Sequence, residues 1–225
     1  MKKKLIITID GPAGSGKTTV SQCIANFYQY TRVDTGALYR GIGVMTKIKG
    51  VDYRYDDQLD KLCQSLDLHF VREGDQLLLY NHDLNLTDAI RLPDISLLAS
   101  DLSVNPLVRN YLFDLQRQLG KDGGVVVEGR DMGTVVFPEA DVKFFLTAEP
   151  SVRARRRHRE YIALGIYMSE NLMTKEMEIR DEKDRNRKIA PLIPAPDAIH
   201  VDSSMMDLKQ VVTYMCQEID KKLEG

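Results

Sequence analysis

The chain has 225 residues, 43% of them hydrophobic and 28% charged, with a formal net charge of -2. That balance suits one large α/β core with an insertion and excludes a disordered or generally basic chain, so any anion site must be local. Cys23, Cys63 and Cys216 are far apart with no CxxC spacing, which indicates neither a zinc site nor a disulfide framework and fits a reducing compartment. Lys2 to Lys4 ahead of an apolar run imitate a signal peptide, but the run is too short, and no stretch approaches membrane-spanning length. A cytoplasmic protein is expected.

Leu5 to Ile9 reads as a buried strand ending at Asp10, and Gly11 to Thr19 follow as GPAGSGKTT. Gly, four free positions, Gly-Lys and a hydroxyl residue make the phosphate-loop pattern, met by Gly11, Gly16, Lys17 and Thr18. Its glycines let successive N–H groups turn inward on a di- or triphosphate. Lys17 adds a positive charge, and Thr18 can offer its hydroxyl to magnesium. A helix with Val20, Ile24 and Phe27 on its apolar stripe is predicted next, its N-terminus favouring anions.

Thr31 to Asp34 reads as extended, with Asp34 and Thr35 at a helix N-cap. Arg40 lies far enough into that helix to reach back towards an anion at its start, or it is a solvated arginine. Helical spacing runs from Asp56 to Leu66. Leu68 to Val71, Gln76 to Tyr80 and Leu84 to Leu86, separated by Glu73-Gly74-Asp75 and Asn81-His82-Asp83, predict a small antiparallel meander. His69 and His82 within it have no companion ligands and read as structural or exposed. A connecting helix from Ile90 to Ser100, broken near Pro93, follows, and then another helix from Asn105 to Leu119.

Val125 to Val127 reads as a central parallel strand delivering Glu128-Gly129-Arg130-Asp131 at its C-terminal end, where open α/β sheets bind ligands. Val142 to Leu146 is a second such strand, leading into a helix on which Arg153, Arg156 and Arg157 share a face. That run is a solvated helix, a nucleic-acid patch or part of an anion site; the acidic balance and lack of interleaved aromatics weigh against nucleic acid. Between Met173 and Pro191 a charged helix carries Arg180, Asp184 and Arg187 on one face, which salt bridging alone could explain. No pattern is assigned from Ala163 to Met177. Ala198 to Val201 is a last strand, and Leu208, Val211, Val212, Met215 and Ile219 mark a closing helix.

A triphosphate and a phosphate-bearing acceptor together carry on the order of six negative charges against two positive on magnesium, so only clustered cations can bring them together. Phosphoryl transfer relies on positioning and charge stabilisation, and an acceptor phosphate already ionised near neutral pH requires no general base.

On these residues the chain resembles the bacterial type of cytidylate (CMP) kinase, in the nucleoside monophosphate kinase group. Four successive signatures carry the resemblance: Ile9 to Thr18 (IDGPAGSGKT), Asp34 to Arg40 (DTGALYR), Gly129 to Pro138 (GRDMGTVVFP) and Arg180 to Leu192 (RDEKDRNRKIAPL). A looser fifth is Ile95 to Arg109 (ISLLASDLSVNPLVR). The resemblance implies an α/β P-loop NTPase fold, with a parallel sheet flanked by helices, a small antiparallel β insert in the monophosphate-binding region and a helical lid. The chain is then a single kinase domain with a core at about 1-33, 106-150 and 166-225, an insert at about 34-105 and a lid at about 151-165.

It also implies roles. Gly11, Pro12, Ala13, Gly14, Ser15, Gly16, Lys17, Thr18 and Thr19 would hold ATP, with Thr18 on Mg2+. Arg40, Arg130 and Arg187 would grip the acceptor phosphate, while Thr35, Ser100, Arg109 and Asp131 surround the cytosine and Arg180 and Asp184 meet the sugar. Arg156 and Arg157 would close over the transferring group, so Lys17, Arg130, Arg156, Arg157 and Arg187 form the implied catalytic set. Leu92 stands where the family often has a small hydroxyl residue. The expected reaction transfers the ATP γ-phosphoryl group to CMP or dCMP in a monomer that binds neither nucleic acid nor membrane. The rivals are another P-loop small-molecule kinase, such as one preferring UMP, and a GTPase-like switch. The switch is disfavoured by the lack of an NKxD motif and of an apolar strand ending in a Walker-type Asp.

Overall fold

The structure, a computed structural model, describes residues 4–74, 76–163 and 165–224. Asp75 of the first predicted turn, Lys2 and Lys3 of the basic start, and residue 164 of the expected lid lie outside the described residues. The chain divides into two compact units, Met1–Arg32 with Asp122–Gly225, and Val33–Lys121.

The first unit is built on a parallel sheet. Its strands are β1 (Ile6–Asp10), β2 (Thr31–Asp34, starting in this unit), β6 (Val125–Gly129), β7 (Val142–Thr147) and β8 (Ile199–Asp202), ordered β2-β6-β1-β7-β8. β1 pairs in parallel with β6, Ile9 opposite Glu128, and with β7, Ile9 opposite Phe144. The all-apolar runs are explained by burial on both faces. Ile7, Ile9, Val126, Phe144 and Leu146 pack with Val20 and Ile24 of α1 (Lys17–Tyr28) and with Val211, Met215 and Ile219 of α8 (Leu208–Glu224). Phe27, predicted to join the α1 stripe, is instead 67% exposed; the buried face is complete with Val20, Ile24 and Ala25.

The second unit holds α2 (Thr35–Lys49), α3 (Asp56–Gln64), the strands β3 (Leu68–Glu73), β4 (Gln76–Asn81) and β5 (Leu84–Asn85), α4 (Pro93–Leu102) and α5 (Pro106–Gly120). The strands form the predicted antiparallel meander, with Phe70 opposite Leu79 and Tyr80 opposite Asn85. Its own core gathers Leu38, Ile42, Leu59, Leu79, Leu102 and Leu112. Pro93 does not break a helix but starts α4 at its first turn, where a missing N–H is no loss; only a 3₁₀ turn, Ala89–Arg91, precedes it.

Back in the first unit, α6 (Pro150–Ala163) and α7 (Glu170–Asn186) follow β7. α7 begins inside the stretch left without a pattern, and the Ser169 side chain caps it by accepting from the Leu172 amide. Arg187 lies just past its end with an extended backbone.

The end of β1 is tied to a π turn, Met132–Val136, by one carboxylate: Asp10 accepts from the amides of Met132 (2.9 Å) and Gly133 (2.7 Å). Burial pushes the Asp10 carboxyl up to about 6 from 3.8; Asp131 adds to the rise, while these two amides and Lys17 oppose it. The folded state therefore favours protonated Asp10, and stability falls as pH rises from about 4 to about 6. Denaturant titrations should show the stability advantage of wild type over Asp10→Asn shrinking by about 2 kcal/mol between pH 4 and pH 7. A pH-independent difference would contradict this assignment.

Candidate active site

The phosphate loop runs from the end of β1 into α1, whose N-cap is Gly16. At Gly11, φ is 150°, and an added Cβ would stand 2.0 Å from the Leu146 carbonyl oxygen of the neighbouring strand. Only glycine fits there. Lys17 is buried and donates to the carbonyls of Gly11 (2.8 Å) and Pro12 (2.7 Å), and more weakly to the Ser15 hydroxyl (3.4 Å). Burial lowers its pKa most, and the nearby charges of Arg130 and Arg180 lower it further against the opposing pull of Glu128 and Asp10.

Arg130 and Arg180 thus stand with Lys17 at the C-terminal edge of the sheet. Arg130 Nε donates to Asp184 (2.9 Å) and Arg187 Nη2 to Asp131 (3.1 Å). Burial raises the Asp184 pKa, but Arg130, Arg180 and Arg187 together outweigh it, and the carboxyl is held below its ordinary value. Asp184 and Arg187 approach to 4.0 Å, so Arg130, Asp131, Asp184 and Arg187 form one linked group.

The two arginines predicted to close over the reaction behave differently. Arg156 donates to the Ser15 carbonyl (3.1 Å) and to the hydroxyl and carbonyl of Ser203 (both 2.9 Å), which joins α6 to the loop. Arg157 turns to its own helix, donating to Glu160 (2.9 Å) and lying over the Tyr161 ring at 4.7 Å. Arg153, which shares their face, is buried and pairs with buried Asp181.

Glu128, the last charged residue of β6, was given no role by sequence reasoning. Its carboxylate accepts from the hydroxyls of Thr18 (2.9 Å) and Ser21 (3.2 Å) and from Arg32 (2.7 Å). The apolar run Val125 to Val127 thus delivers a carboxylate beside the phosphate loop, a glutamate where the switch reading calls for a Walker-type Asp.

In the second unit Arg40 does reach back to the start of its helix, where it pairs with Asp34 (2.7 Å); Asp34 also caps α2 by accepting from the Ala37 amide (3.2 Å). Thr35 is buried in the first turn of α2. Arg109 is buried on α5, donates to the Ser103 carbonyl (3.2 Å) and lies 5.9 Å from the Tyr39 ring centroid. The Ser100 hydroxyl is buried without a hydrogen-bond partner. A cavity of about 400 Å³ in this unit is lined by Lys47, Tyr53, Asp94, Leu98 and Asp101 among others, and by none of the predicted site residues. His69 is half-buried and His82 exposed, each 3.8 Å from Asp67. Leu92 is exposed at the N-cap of α4.

The family model described as cytidylate kinase matches residues 7–221. The chain belongs to the cytidylate kinase family. Cytidylate kinases of Syntrophotalea carbinolica (42% identical over 99% of this chain and 94% of the relative) and Geobacter sulfurreducens (41% over 95% and 92%) are similar along nearly the whole length. Among solved structures, a shikimate kinase from Bacteroides thetaiotaomicron (TM-score 0.50, 15% identity, 99% and 100% covered) and a gluconokinase from Sinorhizobium meliloti (TM-score 0.50, 16% identity, 100% and 96% covered) share the fold. These likenesses show the fold, and the parallel sheet and its strand order agree with it.

Because an added methyl at Gly11 would overlap the Leu146 carbonyl oxygen, Gly11→Ala should destabilise the chain by about 3 kcal/mol or more, read as a lowered urea midpoint. A midpoint matching wild type would show that the loop can shift to accommodate it.

Proposed function

We propose that this kinase transfers the γ-phosphoryl group of ATP to CMP, and also to dCMP. The observation that carries the reading is the gathering of Lys17, Arg130 and Arg180 beside a helix N-terminus, with Arg130, Arg180 and Arg187 all acting on buried Asp184. Such a field favours two polyanions over any neutral acceptor. Membership in the cytidylate kinase family supports CMP in particular.

In this reading the loop residues 11–19, with Lys17, hold the ATP phosphates. An anionic oxygen of the acceptor phosphate attacks the γ-phosphorus, the bond to the β-phosphate oxygen breaks, and ADP leaves. Arg130, Arg187 and Arg156 stabilise the charge spread over the transferring group, and Arg157 belongs to the same lid segment. Arg180 and Asp184 meet the sugar. Thr35, Arg40, Ser100 and Arg109 of the second unit serve CMP on the strength of the resemblance.

The donors near Thr18 fit magnesium, which takes oxygen ligands and is held by few protein groups together with substrate phosphates. Thr18 would supply its hydroxyl, and Glu128 and Arg32 fix that hydroxyl's direction. Among the described residues no group of three or more His, Cys, Asp or Glu could hold a metal ion; in this reading the ion comes with the nucleotide. When bound, the ion neutralises phosphate charge. A monomer acting in the cytoplasm belongs to the same proposal, resting on the resemblance and the composition.

Two outcomes are expected. Lys17→Ala should abolish phosphoryl transfer in a coupled ADP assay while its melting curve stays close to wild type; near-normal turnover would refute the loop's role. Asp131 concerns base choice: an ionised carboxylate accepts from the cytosine amino group and repels the uracil carbonyl. Asp131→Asn should therefore narrow the CMP:UMP ratio of kcat/KM, one misplaced acceptor pair being worth about 1–3 kcal/mol. An equal loss on both substrates would mean that Asp131 only holds Arg187.

A further inference from the structure

Helices α6 and α7 grasp the phosphate loop at one residue, through both of its backbone polar atoms. The Ala13 carbonyl accepts from Arg153 Nη1 (3.1 Å), and the Ala13 amide donates to Asp181 Oδ1 (3.3 Å). Arg153 and Asp181 also bond to each other, and Arg153 Nε donates to the Ala148 carbonyl (2.9 Å), which fixes the guanidinium at the end of β7. Both side chains are almost fully buried, at 5% and 2% exposure. The grip is reinforced by packing. Ala13 leans on the cluster of Ala154, Tyr161, Met173 and Met177, and a Cβ added at Gly14 would stand 2.8 Å from the Arg153 carbonyl oxygen.

A buried ion pair is weak evidence of stabilisation by itself, since apolar replacements of similar volume are often as stable. What an apolar pair cannot do is hold the N–H and the C=O of one residue, and with them the two peptide groups on either side of it. We propose that Arg153 and Asp181 are positioning residues that fix the backbone at Ala13, so that the loop amides that follow it point at the donor phosphates. The inference rests on the loop being the ATP site. Asp181 lies between Arg180 and Asp184 on α7, and Asp184 holds Arg130. One helix thereby registers the loop against the arginines facing the acceptor, and a misplaced loop loses donor affinity without disturbing acceptor affinity.

The test uses the full chain with calorimetric titration of ATP plus magnesium and, separately, of CMP. Variants are Arg153→Met combined with Asp181→Leu, Arg153→Lys alone, and Lys17→Ala as the control for the loop. The double variant should melt near wild type yet bind ATP about tenfold more weakly, with CMP affinity within about twofold. Arg153→Lys, which keeps the charge but lacks the fork to reach Asp181, Ala13 and Ala148 together, should shift the same way. If the variants bind ATP as wild type does while Lys17→Ala loses it, the loop reading stands and the positioning role is overturned. Normal ATP binding by Lys17→Ala would overturn both. Should the double variant fail to fold, Arg153→Lys decides: weakening of ATP and CMP alike, in step with a lowered Tm, would show a merely structural pair and overturn the proposal.

Discussion

Lys17 is buried at the end of the parallel sheet with Arg130 and Arg180 near enough to depress its pKa, and this concentration of like charge dictates much of what surrounds it. At an effective dielectric constant of about 20, two like charges about 6 Å apart repel by about 3 kcal/mol. Several such terms would exceed a sizeable fraction of a domain's whole stability. The carboxylates of Asp10, Glu128 and Asp184 answer this, and each comes from a different element: the end of β1, the end of β6 and the body of α7. Asp184 remains ionised despite its burial because three arginines act on it. Asp10, which accepts from two amides and faces Asp131, is shifted upward by burial despite Lys17. The same arrangement thus contains acids pushed in opposite directions by their neighbours.

Holding that charge in place is a matter of backbone as much as of side chains. Gly11 lets β1 pass against β7 with no room for a methyl group, and Ala13 and Gly14 are pressed by α6 and α7. Arg156 and Ser203 then hold the Ser15 carbonyl from the side of β8. The loop therefore has partners at successive residues. Its conformation belongs to the sheet and the two helices as much as to its own glycines, and groups fixed before a ligand arrives cost little reorganisation when charge moves.

The parallel sheet and the loop were legible because their signals are local: unbroken apolar runs, glycines at fixed offsets, and a lysine before a hydroxyl. The meander was equally plain from turn residues between short strands. Pairings across long separations were not. Arg130 and Asp131 are adjacent in sequence, yet each bonds a residue more than fifty positions away, and spacing within a motif says nothing of which arginine meets which carboxylate. Arg153 and Arg157 looked alike on a helix face, but one is buried against Asp181 and the other lies on Tyr161. The start of α7 was missed although Ser169 caps it and Met173 and Met177, at helical spacing in its first two turns, are buried. Glu128 was missed for a different reason. An acid closing a strand has no pattern of its own until the fold brings Thr18 beside it.

The crossed pairing has a consequence for the proposed reaction. Had Arg130 been held by its neighbour Asp131, the acceptor phosphate and the base would be read by one dipeptide, and little else could adjust either. Instead Arg130 is held by Asp184 on α7, and Asp131 accepts from Arg187 beyond the end of that helix. A carboxylate has about four acceptor positions, so one bond from Arg187 does not fill it. Under the CMP reading, the cation gripping the phosphate also holds Asp131 in place, and an acceptor at that place is what separates an amino group from a carbonyl. The grip on the phosphate and the choice of base would then depend on one buried ion pair, while the fit of the donor depends on α6, α7 and the loop.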